Sequence, residues 1–166
     1  MKKLFSSTLL SLLLAGFSVC QAVSPDRMNA GGVYIDQGLA EVIAIYGEPV
    51  SAKTEQVEAG FRHTQIIYEY GRNGTTFNIT FVNDRVKRIF VAGNNGIATS
   101  DGIKVGTPLS EVKRILGPGK DIKSEDGTKH RVLYQLEEPG DPDGSLNFYI
   151  KDDKVQAIYV DSGLAI

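Results

Sequence analysis

Residues 102–117 read GIKVGTPLSEVKRILG, and residues 32–47 read GVYIDQGLAEVIAIYG. The two stretches carry one pattern in the same order and spacing: a glycine, then Val or Ile, then Leu, Glu-Val and a closing glycine. In the first copy Leu39, Val42, Ile45 and Tyr46 recur at helical spacing. In the second, Leu109, Val112, Ile115 and Leu116 do the same. Each copy therefore predicts one short amphipathic helix. Thr107 reads as an N-cap, with Pro108 at the first helical position. Glu41 and Glu111 fall in the first turn, where negative charge suits the helix dipole. Gly47 and Gly117 end the helices, with Pro49 and Pro118 close behind.

Strand patterns follow each helix. Phe77-Asn78-Ile79-Thr80-Phe81 alternates apolar and polar, and Leu146-Asn147-Phe148-Tyr149-Ile150 answers it in the second copy. Asn83-Asp84 and Asp152-Asp153 are residue pairs that tolerate left-handed backbone, so each predicts a hairpin turn. The return strands begin at Val86 and Val155. Earlier strands run through Ile66-Ile67-Tyr68 and Val132-Leu133-Tyr134, and weaker ones lie near Lys53 and Lys120.

The resulting expectation is an α+β fold of two tandem α-β-β-β(-β) repeats. Its antiparallel sheet runs continuously through both copies, with the helices on one face. Pairing two copies edge to edge covers an edge that one copy alone would leave open. The chain divides into a signal peptide at 1–22, an N-terminal extension at 23–31, repeat 1 at 32–92, a linker at 93–101 and repeat 2 at 102–166. The extra residues of the second copy fall in the turn-rich loop EEPGDPDGS at 137–145.

The pattern Gly-x-x-Leu-x-Glu-Val-x-x-x-Leu-Gly, followed by a strand pair with an Asp-Lys-Val-type turn, resembles the SmpA/OmlA (BamE-like) domain family. In tandem on an exported chain, it is similar to the β-lactamase inhibitor protein architecture. That resemblance implies one curved eight-stranded sheet with helices on its convex side, and a general role in protein binding. Gly38 and Pro108 stand where that family has Ser or Thr, which implies a different helix cap here.

The first residues carry their own signal. Lys2 and Lys3 precede an apolar stretch at 4–19, and Cys20-Gln21-Ala22 offers small residues for cleavage after Ala22. Serines and a threonine interrupt the stretch, so it falls short of a membrane span. Cleavage there leaves a chain that starts at Val23 and has no cysteine. Such a chain relies on its hydrophobic core and not on disulfides. Lipidation at Cys20 is the second reading, although Phe17-Ser18-Val19 departs from the usual lipobox. The formal net charge is −2, or −4 without Lys2 and Lys3. No basic stripe marks the sequence, which argues against nucleic acid as a partner.

No catalytic motif is present: there is no Gly-x-Ser-x-Gly, no phosphate-binding loop and no His-Glu-x-x-His. His63 and His130 fall out of register between the copies and so sit on opposite sides of their strands. Glu137, Glu138, Asp141 and Asp143 cluster in one loop, but their spacing misses that of a calcium loop. The expectation is therefore no catalytic, metal or cofactor site.

The sheet offers more. If Phe77, Ile79, Phe81, Leu146, Phe148 and Ile150 point at the helices, then Asn78, Thr80, Asn147 and Tyr149 point away. Arg88, Phe90, Ala157 and Tyr159 follow them. The predicted protein-binding face is thus Arg88, Phe90, Tyr149, Tyr159, Asn78 and Asn147, a mix of rings, Arg and amides typical of interfaces. Ordinary cross-strand pairing explains the same residues without a partner. Three functions remain open: an exported non-enzymatic binding module, a structural and lipid-tethered envelope protein, and an enzyme without a sequence signature. The first leads, with a protein partner, no cofactor, and a monomer or weak dimer in the periplasm or outside the cell. On this reading Tyr149→Ala with Tyr159→Ala weakens binding and leaves thermal stability nearly unchanged.

Overall fold

A computed structural model describes residues 22–49, 51–57, 63–69, 76–136 and 144–163, with the strands at 52–57 and 63–69 described as backbone. The signal segment, Cys20 and the acidic loop at 137–143 lie outside the described residues. Two short strands, β1 (Ala22–Val23) and β2 (Asn29–Ala30), precede β3 (Val33–Tyr34) and helix α1 (Leu39–Tyr46). Then come β4 (Ala52–Val57), β5 (His63–Glu69), β6 (Thr76–Val82) and β7 (Arg85–Ala92). The second copy repeats the series with α2 (Leu109–Leu116), β8 (Lys120–Lys123), β9 (His130–Leu136), β10 (Ser145–Lys151) and β11 (Lys154–Asp161).

One sheet holds both copies. Its order is β4, β5, β6, β7, β11, β10, β9, with β8 and β1 sharing the outer edge of β9. Every pairing in it is antiparallel except that of β1 with β9. The seam between copies is β7 on β11, where Phe90 lies opposite Tyr159. These two residues also hold equivalent positions in the two copies of the repeat. A pseudo-two-fold axis therefore passes between them, normal to the sheet.

The burial pattern follows the period-2 expectation. Phe77, Ile79, Phe81, Ile89, Val91, Leu146, Phe148, Ile158 and Val160 are fully buried, and they join Val42, Val112 and Leu116 of the helices in one core. Both helices therefore lie on the same face of the sheet. The turns at Asn83-Asp84 and Asp152-Asp153 hold positive φ at both central residues, between 49° and 59°. That is the geometry of a tight hairpin whose twist matches its strands.

Each hairpin also carries a bulge at the same place. Lys87 in β7 and Gln156 in β11 are the extra residues, where the pairing shifts beyond Thr80 and beyond Tyr149. A bulge frees backbone groups from the ladder, and here they are used. Val86 N–H donates to Gln37 O (3.0 Å), and Val155 N–H donates to Thr107 O (2.9 Å). The first helical N–H groups go to the turns: Leu39 to Asp84 O at 2.9 Å and Leu109 to Asp153 O at 2.8 Å. Backbone carbonyls thus take one of the donors that a Ser or Thr side chain would otherwise satisfy.

Three expectations need correction. Thr107 is not the N-cap; Pro108 occupies that position, and Thr107 Oγ1 accepts from Lys104 N–H instead. Ile45 is half exposed, and Ile43 packs on the core in its place with Leu39, Val42 and Tyr46. The earlier strands match two residues away from the sequence alignment. Tyr68 lies opposite Ile79, and the equivalent Phe148 lies opposite Val132, not Tyr134. A shift of two keeps every residue on its face.

The segment before α1 is built into the fold. Val23, Met28, Asn29 and Ala30 are all buried. Asn29 bonds Ser100 twice, through Nδ2 to Oγ (2.9 Å) and through Oδ1 from the Ser100 N–H (2.8 Å). The residues joining the copies are thereby tied to the segment that precedes the first helix.

Candidate functional site

The face opposite the helices contains all six residues singled out from sequence. Ladder register places Asn78 opposite Phe90, Phe90 opposite Tyr159, and Tyr159 opposite Asn147. The four run in one line across β6, β7, β11 and β10, symmetric about the axis. Arg88 and Thr80 form the next row on one side of that line, and Ala157 and Tyr149 the equivalent row on the other.

The residues differ in how free they are. Phe90 and Tyr159 pack edge to face, with ring centroids 6.4 Å apart. Tyr159 Oη donates to Asp161 Oδ2 at 2.8 Å. That carboxylate also accepts from Arg88 Nε at 3.0 Å, and its other oxygen takes the Gly163 N–H. Burial, aided by this carboxylate, pushes the Tyr159 phenol up to about 12. Tyr159 is therefore a braced residue, and truncating it would disturb the sheet. Tyr149 is the ring that stands open, at 38% exposure.

The two amides are set differently from sequence expectation. Asn147 is only 2% exposed and donates to Ser145 Oγ at 2.9 Å. Asn78 is its repeat equivalent. The side-chain oxygens of both are buried without a hydrogen-bond partner among the described residues. Asn147 therefore offers neither donor nor acceptor to a visitor without rearrangement, and Asn78 offers no acceptor.

Beside the line of rings lies a hollow of about 680 Å³ lined by Phe90, Ala92, Tyr149 and Ala157. Gly93, Val105 and the bulged Gln156 also line it. Sequence reading missed it, because Ala92 and Ala157 carry no chemistry of their own.

The histidines do not meet. By register their positions lie on opposite faces, with His130 on the helix side. His130 Nε2 lies 2.7 Å from Asp121 Oδ1, and Lys113 Nζ lies 2.7 Å from Asp121 Oδ2. This cluster ties α2, β8 and β9 together. Burial raises the Asp121 pKa, but the bonds from Lys113 and His130 outweigh it and hold the carboxyl below its usual value. Among the described residues no group of acidic, His or Cys side chains has the arrangement of a metal site. No described helix is long and apolar enough to cross a membrane.

No family model matches the chain, and no curated protein does. Solved structures do match, as folds. A cysteine-rich secretory protein from Staphylococcus aureus aligns over 87% of this chain and 50% of its own, at 14% identity and a TM-score of 0.54. An extracellular protein containing an SCP domain from Bacillus anthracis aligns over 76% of this chain and 43% of its own, at 12% identity and 0.50. The chain thus spans about half the length of these two proteins. A β-lactamase inhibitor-like protein from Streptococcus mutans aligns over 77% of this chain and 84% of its own at 14% identity, with a TM-score of 0.32 too loose to carry weight.

Proposed function

We propose that this chain is an exported, non-enzymatic protein-binding module, and that its partner docks on the sheet face opposite the helices. The observation that carries the reading is the open Tyr149 ring beside Phe90, on a face where Arg88 and Tyr159 are held in place by Asp161. Pre-ordered rings bury area at little entropic cost, and Tyr and Arg concentrate where interfaces are strongest. The tandem BamE-like pattern of the sequence fits the same role. Export rests on Lys2, Lys3 and the apolar stretch that follows them.

Site-specific photo-crosslinking tests the reading. A photoreactive residue at Tyr149 is compared with one at Ile45, which is at least as open and lies on the helix side. In the native envelope and culture medium, a discrete adduct from Tyr149 and none from Ile45 is expected. Adducts from both positions alike, or from neither, would remove this face as a binding site.

A further inference from the structure

The two halves of the outer face share a backbone and differ in chemistry. Rotation about the Phe90–Tyr159 pair exchanges Ala157 with Arg88, Ala92 with Asp161, and Tyr149 with Thr80. In one half Arg88 and Asp161 close on each other, and Thr80 is 8% exposed. In the other half the equivalent positions are two alanines and an open ring. The hollow of about 680 Å³ lies there. It is an open depression, and its named walls are mostly apolar.

Charge surrounds the hollow unevenly. Outer-face register positions of β8, β9 and β10 carry Lys120, Arg131 and Lys151, and no Asp or Glu. Arg131 lies directly opposite Tyr149 in the ladder. Neither Arg131 nor Lys151 has an ion-pair partner among the described residues. Asp161, the carboxylate on the outer face of β11, is engaged by Arg88. Asp152 and Asp153 occupy the β10–β11 turn, whose backbone caps α2 on the helix side. An apolar hollow whose Tyr149 wall is neighboured in the sheet by unpaired cations complements an apolar group that carries negative charge beside it.

From this asymmetry we infer that the hollow seats an apolar or aromatic side chain of a partner protein segment, and that Arg131 and Lys151 receive an acidic residue next to it. This rests on the protein-binding reading and specifies the partner's chemistry. The probe is the peptide acetyl-Asp-Phe-Asp-amide, with acetyl-Lys-Phe-Lys-amide as its opposite. Each is titrated into the isotope-labelled protein while backbone amide shifts are followed. The acidic peptide is expected to move Ala92, Tyr149 and Ala157 with a Kd on the order of 1 mM, weakening several-fold as salt rises. Ala92→Leu, which fills the hollow, and Arg131→Glu, which reverses the charge opposite Tyr149, should each weaken it at least several-fold; Thr80→Ala should not. The amide spectrum of each variant reports its folding, and the surface change Arg131→Glu keeps the test decisive if Ala92→Leu misfolds. Equal response to both peptides, no response, or shifts centred on Thr80 and Arg88 would overturn the inference. A Tyr149 crosslink without an acidic-peptide response would leave protein binding standing and this partner chemistry refuted.

Discussion

Tyr159→Phe removes one oxygen from the centre of the outer face, and its effect should depend on pH in a definite direction. The phenol donates to Asp161 at 2.8 Å, a bond to a charged acceptor. Such bonds contribute about 1.5–3 kcal/mol when buried. Here the ring is partly exposed, and Arg88 and the Gly163 N–H still hold Asp161, so a loss of about 1 kcal/mol at neutral pH is expected. In the fold burial, then the Asp161 hydrogen bond and charge, raise the phenol from 10.0 to about 12. A raised acid keeps its proton longer in the folded state. Its contribution is therefore complete below pH 10 and is lost as pH climbs from 10 towards 12. The ceiling is about 2.7 kcal/mol, which solvent screening reduces to about 1 kcal/mol. Urea unfolding of both proteins between about pH 8 and about pH 11 provides the measurement. The other tyrosines titrate in both proteins and cancel. The gap between wild type and Tyr159→Phe should shrink by more than half over that range. A constant gap, or no gap at pH 8, would show that Asp161 does not brace this phenol.

Other outcomes follow from the same geometry. Tyr149→Ala should cost less stability than Tyr159→Ala, on the order of 1 kcal/mol, because its ring is the more open of the two, and that makes it the cleaner variant for binding studies. Val42→Ala and Val112→Ala, equivalent and both fully buried, should each cost about 2 kcal/mol by chemical denaturation, whereas half-buried Leu109→Ala should fall at or below the low end of the roughly 2–5 kcal/mol range for buried leucines. Gly119→Ala should destabilise by at least about 1–3 kcal/mol, since φ is +63° and the new Cβ would lie 2.7 Å from Tyr134 and Val132 side-chain atoms. For Asp121, a lowered carboxyl pKa means stability that is complete above its ordinary value of 3.8 and is lost as pH falls below it. Asp121→Asn should flatten that acid limb in a pH series of thermal melts, and an unchanged limb would exclude the Lys113–Asp121–His130 cluster as its source.

Most of the fold was legible because the repeat supplied two independent readings of each element. Phe77-Asn78-Ile79-Thr80-Phe81 alone is an alternating strand. Found again in the second copy with the same type of turn, it also fixes the hairpin and its face. The face assignment survived even where alignment slipped at Tyr68 and Tyr134, because a slip of two preserves alternation. What escaped was set by backbone geometry. Nothing in the two-residue β1 distinguishes it from a loop, and its position depends on the free edge of β9 beside β8. The bulges at Lys87 and Gln156 carry no side-chain signature either.

Those bulges explain the helix caps that sequence reading assigned to Thr107. The family pattern expects Ser or Thr where this chain has Gly38 and Pro108. A side-chain cap is needed only if nothing else meets the first N–H groups. Here each bulge releases Val86 or Val155 to hold the residues before the helix, and each turn then presents a carbonyl to Leu39 or Leu109. The cap is thus a property of hairpin and helix together, and local propensity cannot register it. The same geometry bears on the candidate site. Gln156, the bulged residue of β11, lines the hollow beside Ala157, whereas its equivalent Lys87 has its ammonium paired with Asp36. One duplicated backbone device therefore anchors a helix twice and flanks an open hollow once. The difference lies in the side chains, and on the protein-binding proposal the hollow, more than the symmetric row through Phe90 and Tyr159, is where a partner's identity would be read.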